Sequence, residues 1–365
     1  MFDKNKLYIE NRRYLGNKNK LIPFINEVIY EECGNFNTFA DIFAGTGIVA
    51  HSLNKADNKI IINDILYSNY LAYVTWLGNE AYDRKKIEGL IREFNHIKCE
   101  RDNYVSQNFG GNYFSVEDAK KIGTIREEID NISSRINFRE KAILITSLLY
   151  GMDRTANTCG HYDTFRRSKS INPPLSLKVP AINDERNKNN DIFNMDANLL
   201  VKNIKSDIVY VDTPYNSRQY SDTYHLLENI SKWDKPKVEG VARKAVNKFM
   251  GRSKYCTAEA PKAFRELIKD IQARYIIVSY NNMGKKGHSR SNAKISDEEI
   301  LEILNEKGQV SIKEKNFKYY TSGKRRIENH KERLFIVKCK WYHFYNAVRI
   351  SSHDWWQCFW FHNTW

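Results

Sequence analysis

Thr38-Phe39-Ala40-Asp41-Ile42-Phe43-Ala44-Gly45-Thr46-Gly47 is a short β-prone run, ending about Phe43, that stops at a loop with two glycines. A helical stretch from Ile48 to about Asn54 follows, then a second apolar run, Lys59-Ile60-Ile61-Ile62, ending at Asn63-Asp64. Strand, glycine turn, helix, strand is the βαβ unit of a parallel α/β protein. Glycines after a first strand let the backbone approach a ligand closely. An acid at the end of the second strand, here Asp64, can bind a ribose hydroxyl. The third glycine of the dinucleotide fingerprint is missing at Val49-Ala50-His51, which favours a smaller adenosine ligand over NAD or FAD.

Upstream, residues 17–34 read as a helix: Leu21, Ile25, Val28 and Ile29 share a face, Pro23 sits in the early turns and Gly34 can end it. Downstream, the texture changes from about Glu80 to Asp191. Ser115-Val116-Glu117-Asp118 is a helix start, Lys141 to Tyr150 an apolar helix, and 153–190 a loop-rich stretch with many basic residues. This segment reads as an insertion into the α/β domain. The α/β pattern then returns with the buried-strand run Asp207-Ile208-Val209-Tyr210-Val211, which ends at Asp212-Thr213-Pro214-Tyr215. A helix near 262–272 leads to the strand Tyr275-Ile276-Ile277-Val278-Ser279, and Ser296 with Glu299 forms a capping box. Strands near 309–320 and 333–338, separated by Lys324-Arg325-Arg326, predict an antiparallel hairpin.

Composition narrows the class. The 365 residues are 41% hydrophobic and 28% charged, a globular balance, and suffice for one large domain or two modest ones. No apolar run approaches the roughly 18 residues of a membrane span, and the polar start is no secretory signal. Cys33, Cys99, Cys159, Cys256, Cys339 and Cys358 are scattered without a CxxC pair. A disulfide framework and a zinc ribbon are therefore set aside, no metal is expected, and a reducing cytoplasm is the natural compartment. Fifty-eight Lys and Arg against 44 Asp and Glu leave a net charge of +14, which suits a polyanionic partner or simply a basic soluble protein. Ten of the last 27 residues are aromatic, without helical or strand period. That tail, 339–365, could cap the domain, meet a partner or come from a reading-frame change.

Two further constellations accompany the glycine loop. Asp212-Thr213-Pro214-Tyr215 stands at a strand end, where ligands collect in open α/β sheets. Its aspartate, rigid proline and aromatic supply an acceptor, a fixed backbone and a stacking face, the requirements for gripping a planar amine-bearing base. Arg13-Tyr14-Leu15-Gly16-Asn17-Lys18 precedes the first helix as a lid, with Lys18 offering a cation to a carboxylate.

In this order the motifs Tyr14-Leu15-Gly16-Asn17-Lys18, Asp41 to Gly47, Asp64 and Asp212-Thr213-Pro214-Tyr215 resemble those of the Dam-like α group of DNA adenine methyltransferases. The runs Asn216-Ser217-Arg218-Gln219-Tyr220-Ser221-Asp222 and Glu328-Asn329-His330-Lys331-Glu332-Arg333-Leu334-Phe335 are also similar to that family's bacterial modification enzymes. The resemblance implies a Rossmann-like S-adenosylmethionine-dependent sheet, a C-terminal antiparallel hairpin and an inserted, mainly helical target-recognition region. Residues 12–79 and 191–338 would be catalytic and 80–190 the insertion. Tyr14 and Lys18 would touch the methionine end of S-adenosylmethionine, and Asp41, Phe43, Gly45, Gly47 and Asp212 would line its pocket. Asp64 would bind the ribose and Asp196 would sit near the adenine. Catalysis would fall to Asp212, Thr213, Pro214 and Tyr215. Double-stranded DNA would meet Arg154, Asn157, Arg166, Arg167, Arg218, Lys324, Arg325 and Arg326. A cognate restriction endonuclease is implied as a companion without direct contact.

One departure is Thr213, where the family pattern has proline. It opens the alternative of a weakened or inactive DNA-binding homologue. Methylation of RNA or protein, and more remotely a nicotinamide oxidoreductase, are the other readings.

Overall fold

The computed structural model describes residues 3–168, 172–215, 217–246, 252–281, 293–316 and 331–340. Lys324, Arg325 and Arg326, and the tail from 341 on, lie outside these.

Seven strands form the central sheet: β1 (Thr38–Asp41), β2 (Lys59–Asn63), β3 (Asp191–Phe193), β4 (Ser206–Val211), β5 (Ala273–Asn281), β6 (Gly308–Asn316) and β7 (Lys331–Cys339). Their order is β6-β7-β5-β4-β1-β2-β3. The first five pair in parallel, and β7 is antiparallel to both β5 and β6. From β1 the chain builds outward through β2 and β3, then returns to add β4 on the other side. The reversal opens a crevice at the carboxyl ends of β1 and β4, where open α/β sheets bind ligands.

The helices in chain order are α1 (Ile22–Cys33), α2 (Ile48–Leu53), α3 (Tyr67–Leu77), α4 (Arg84–His96), α5 (Tyr104–Phe109), α6 (Val116–Asn131), α7 (Phe138–Thr155), α8 (Ala197–Leu200), α9 (Tyr220–Thr223), α10 (His225–Lys232), α11 (Ala260–Asp270) and α12 (Asp297–Lys307). Because strand side chains alternate, Ile208 and Tyr210 of β4 meet α1, α2 and α3 on one face, whereas Val209 and Val211 meet α8, α11 and α12 on the other. Burial on both faces explains why these strands read as continuous apolar runs rather than alternating ones.

Local chemistry set several boundaries differently from the sequence expectations. The helix expected from residue 17 begins at Ile22 after a 3-10 turn at Asn19–Leu21, with Pro23 in its first turn, where a missing N–H costs nothing. Strand β1 ends at Asp41 rather than at 43, because Ile42 and Phe43 turn away to line the crevice. The helix read over 141–150 runs from Phe138 to Thr155, opened by an Asn137–Glu140 capping box. Ser115 and Ser296 cap their helices as expected. Strand β3 was not anticipated: three half-buried residues carry too little period to be read.

Helices α4 to α7 form a layer with its own core, into which α3 and α10 also pack. Fifteen of the 18 residues of α7 are buried, so it serves as the central post of that layer. Glu228 of α10 accepts hydrogen bonds from the Tyr67 and Ser68 N–H groups at the start of α3, joining the helical layer to the sheet.

Candidate active site

At the carboxyl ends of β1 and β4 lies a solvent-open cleft of about 1020 Å³ with its open mouth included. Tyr14, Lys18, Asp41, Phe43, Gly45, Asp64, Asp196, Asp212, Thr213, Pro214 and Tyr215 all line it, although they come from five separate stretches of chain. Gly47 lies just behind, at the start of α2.

The glycine loop is shaped by its neighbours. Gly45 and Gly47 have φ of +53° and +77°, where a side chain would be strained. A Cβ at Gly45 would approach Tyr14 Cε1 to 3.1 Å, and one at Gly47 would approach Tyr73 Cε1 to 2.9 Å. Asp64 accepts the Gly45 N–H at 2.9 Å and the Leu66 N–H at 2.8 Å, so it fixes the loop while facing the cavity. Asn63 donates to the Ile42 and Met195 carbonyls, both at 3.0 Å, binding three strand ends into one rim. Asp196 caps α8 through Oδ1, which accepts from the Asn198 and Leu199 N–H groups. Phe43 stands edge-on to Tyr255, with ring centroids 5.2 Å apart.

The lid segment is held by stacked rings. Tyr14 stacks on Tyr224, at 4.5 Å and 4°, and on Tyr220, at 5.5 Å, and those two rings also touch each other at 6.1 Å, closing a triangle. The Leu15 N–H donates to the Tyr224 hydroxyl at 2.7 Å. Tyr220 and Tyr224, four residues apart, thus hold the lid by ring contact and by their hydroxyls on Leu15, from the segment just after Asp212-Thr213-Pro214-Tyr215.

Charge is concentrated where these elements meet. Lys18 Nζ lies 2.7 Å from Glu332 Oε1 and 3.2 Å from Asp212 Oδ1. Burial works against the Lys18 charge, but Asp212 and Glu332 outweigh it and hold the ammonium well above its ordinary range. Lys18 therefore meets protein carboxylates here, whereas the sequence suggested a ligand's. Burial pushes the Asp212 carboxyl up to about 6; Lys18 draws it down and Glu332 draws it up. Burial likewise raises Asp64 to about 6, against the pull of the Leu66 and Gly45 N–H groups. Asp41 is pushed well above the carboxylate range by burial and then by Asp212, although the Ala50 and Phe43 N–H groups pull the other way. Neither Asp41 oxygen has a partner at good hydrogen-bond geometry. A buried pocket with more carboxylates than cations fits a ligand carrying positive charge.

Residues 14–284 match the profile of the D12 class N6 adenine-specific DNA methyltransferases. The chain belongs to that family. Among its relatives, Type II methyltransferase M.NlaIII of Neisseria lactamica is 32% identical over 87% of this chain and 95% of its own length. Modification methylase StsI of Streptococcus sanguinis is 34% identical over 90% of this chain, and Type II methyltransferase M.FokI of Planomicrobium okeanokoites 31% over 81%. This chain spans about half the length of those two, 52% and 47%.

As a D12 class methyltransferase the chain is an adenine-specific DNA-modifying enzyme, and the reading as an inactive homologue finds no support. Thr213 is buried, its hydroxyl lacks a hydrogen-bond partner, and it lines the cavity wall between Asp212 and Pro214.

The methyltransferase's other expected residues are dispersed. Arg154 donates to the Ser176 carbonyl, and Asn157 donates to the Arg166 carbonyl at 2.9 Å, so both brace the helical layer's loops. Arg166, Arg167 and Arg218 are exposed. Sequence reasoning missed the roles of Glu332, Tyr220, Tyr224, Tyr73 and Tyr255. The i, i+4 spacing of Tyr220 and Tyr224 just after Asp212-Thr213-Pro214-Tyr215 was a usable signal. Glu332 stood in the run Glu328 to Phe335 that resembles the family's modification enzymes, but nothing in that run gave its partners, which depend on which strand β7 joins.

Among the described residues no helix is long and apolar enough to cross a membrane, and no group of three His, Cys, Asp or Glu could hold a metal.

Proposed function

We propose that this enzyme transfers a methyl group from S-adenosylmethionine to the exocyclic amine of an adenine flipped out of duplex DNA. It would act at one short sequence and serve as the modification partner of a restriction endonuclease in the cytoplasm. The observation that carries this reading is that Asp212-Thr213-Pro214-Tyr215 opens onto the same cavity as the Asp41–Gly47 loop and Asp64. The strand order and the antiparallel β7 support a Rossmann-like S-adenosylmethionine-dependent sheet.

The pocket's chemistry fits the cofactor. Asp64 and Asp212 supply anionic acceptors for a ligand with a sulfonium, an ammonium and ribose hydroxyls, and Asp41 adds a buried carboxyl that a cation draws towards its charged form. Phe43, Ile65 and Met195 supply apolar walls for its adenine, with Asp196 at their edge. S-adenosylmethionine, when bound, supplies a methyl group on positively charged sulfur.

The protein's own part follows from position. Adenine's amine is a poor nucleophile because its lone pair is delocalised into the ring, and in a duplex it is out of reach. Flipping costs a few kcal/mol. Tyr215 stacks on the extruded base. The Asp212 carboxylate and the Thr213 carbonyl accept the two amine hydrogens and draw the nitrogen towards a tetrahedral shape. As the N–C bond forms and the S–C bond breaks, the surplus proton leaves towards Asp212. Holding the reactants at near-attack distance supplies much of the rate. We assign residues 12–79 and 191–338 to this chemistry and the helical insertion, 80–190, to target recognition. The exposed Arg166, Arg167 and Arg218, and Lys324, Arg325 and Arg326, are assigned to the phosphate backbone.

The first test is transfer of labelled methyl to unmethylated genomic DNA, with single-molecule mapping of the modified bases. Methyladenine in one short context is expected; methylation of RNA or protein alone would overturn the reading. A second test uses pH. With Asp64 and Asp212 both at about 6, a cationic ligand favours their ionised forms, so binding releases protons. Affinity for S-adenosylmethionine is expected to strengthen as pH rises from 5 to 7. Binding of the uncharged-sulfur product S-adenosylhomocysteine should change less. Calorimetry in two buffers of different ionisation heat measures both, and equal pH dependence for the two ligands would contradict the charge argument.

A further inference from the structure

Glu332 has no part in the mechanism above, yet it is the nearer carboxylate to Lys18. It is the second residue of β7, which runs against β5. That reversal carries the start of β7 to the carboxyl edge of the parallel strands, with Glu332 level with Asn281 at the end of β5. Its Oε1 accepts from Lys18 Nζ at 2.7 Å and from Ser279 Oγ at 2.7 Å. Asp212 Oδ1 stands farther from the same ammonium, at 3.2 Å. Lys18 and Glu332 side chains are 9% and 7% exposed, so their attraction is poorly screened. The Asp212 side chain, at 19%, is the one open to the cavity.

We infer that Glu332 is a positioning residue that holds Lys18 back from Asp212, so that the Asp212 carboxylate keeps its capacity to accept the target amine's hydrogens. An ammonium left alone with Asp212 closes into a one-to-one pair and draws density from the oxygens that the chemistry needs. With Glu332 in place, two carboxylates share one cation, and Ser279 fixes the one that does not react. The groups facing Asp212 are then Lys18 from the lid, Asp41 from β1, Tyr210 from β4, Tyr215 and Tyr220 from the segment after it, and Glu332 from β7.

The inference rests on the methyl-transfer reading, and the test separates the two. Wild type, Glu332→Gln and Ser279→Ala are compared for methyl transfer to DNA across pH 5 to 9, with KM for DNA measured alongside. Glu332→Gln is expected to lower plateau kcat roughly 10- to 100-fold with KM little changed. It should also shift the acid limb of kcat/KM downward by about one pH unit, because Asp212 loses a neighbouring anion and gains a closer cation. Ser279→Ala, which loosens Glu332 without removing its charge, should lower kcat by a smaller factor and leave the limb in place. An active wild type with an unchanged Glu332→Gln profile overturns the inference alone; a wild type inactive on DNA overturns the functional reading. Should Glu332→Gln fail to fold, Ser279→Ala decides, and an unchanged kcat there overturns the inference.

Discussion

Asp212→Ala is expected to lose methyl transfer by at least about 10²–10³-fold while remaining folded. The size follows from removing one preorganised group that acts on charge developing in the transition state. Retention of the fold follows from the ion-pair geometry. Lys18 keeps its nearer partner, Glu332, so no buried cation is stranded, and Asp41 loses a repelling neighbour. Cofactor affinity at neutral pH should fall modestly, since one of several carboxylates is gone. Methyl incorporation, a thermal melt and calorimetric titration with S-adenosylmethionine check the three in turn; a variant as active as wild type would sink the assigned role.

Lys18→Met is expected to be the most destabilising change at this site. Lys18 is the buried cation between two carboxylates, and stranding a buried charge costs about 3–5 kcal/mol. Its pH dependence has a definite sign. Lys18 draws the Asp212 carboxyl down, so without it that pKa climbs above about 6. A carboxyl raised in the folded state favours folding at low pH, and that benefit is lost as pH rises through the folded value. The variant should therefore melt nearly like wild type at pH 5 and far below it at pH 8. Adding Glu332→Leu should restore much of the loss at pH 8, because one of the stranded charges goes with it. Equal melting of Lys18→Met and wild type at pH 8 would show that Lys18 is not the compensating cation.

Much of this was legible along the chain. The motif from Asp41 to Gly47, followed by a second apolar run ending at Asp64, announced a βαβ unit, and both lie where such a unit puts them. Asp212-Thr213-Pro214-Tyr215 was legible because a strand buried on both faces is a continuous apolar run with a sharp polar end. Lys18 was found as a lid cation, but its partners were not. The arginines of the insertion were found by type alone. Type does not tell a loop brace such as Arg154 from an exposed cation such as Arg167.

By itself the sequence determined the elements, their order and the residue types at strand ends, because apolar period, glycine turns and caps act within a few residues. Only the tertiary structure decided which strand ends became neighbours. The reversal of order between β1 and β4 placed Asp41 beside Asp212, and the antiparallel insertion of β7 brought Glu332 across 314 residues to Lys18. Those distances set the charge balance of the pocket. Coulomb energy depends on separation in space and on burial, and neither is written in the local pattern of the chain.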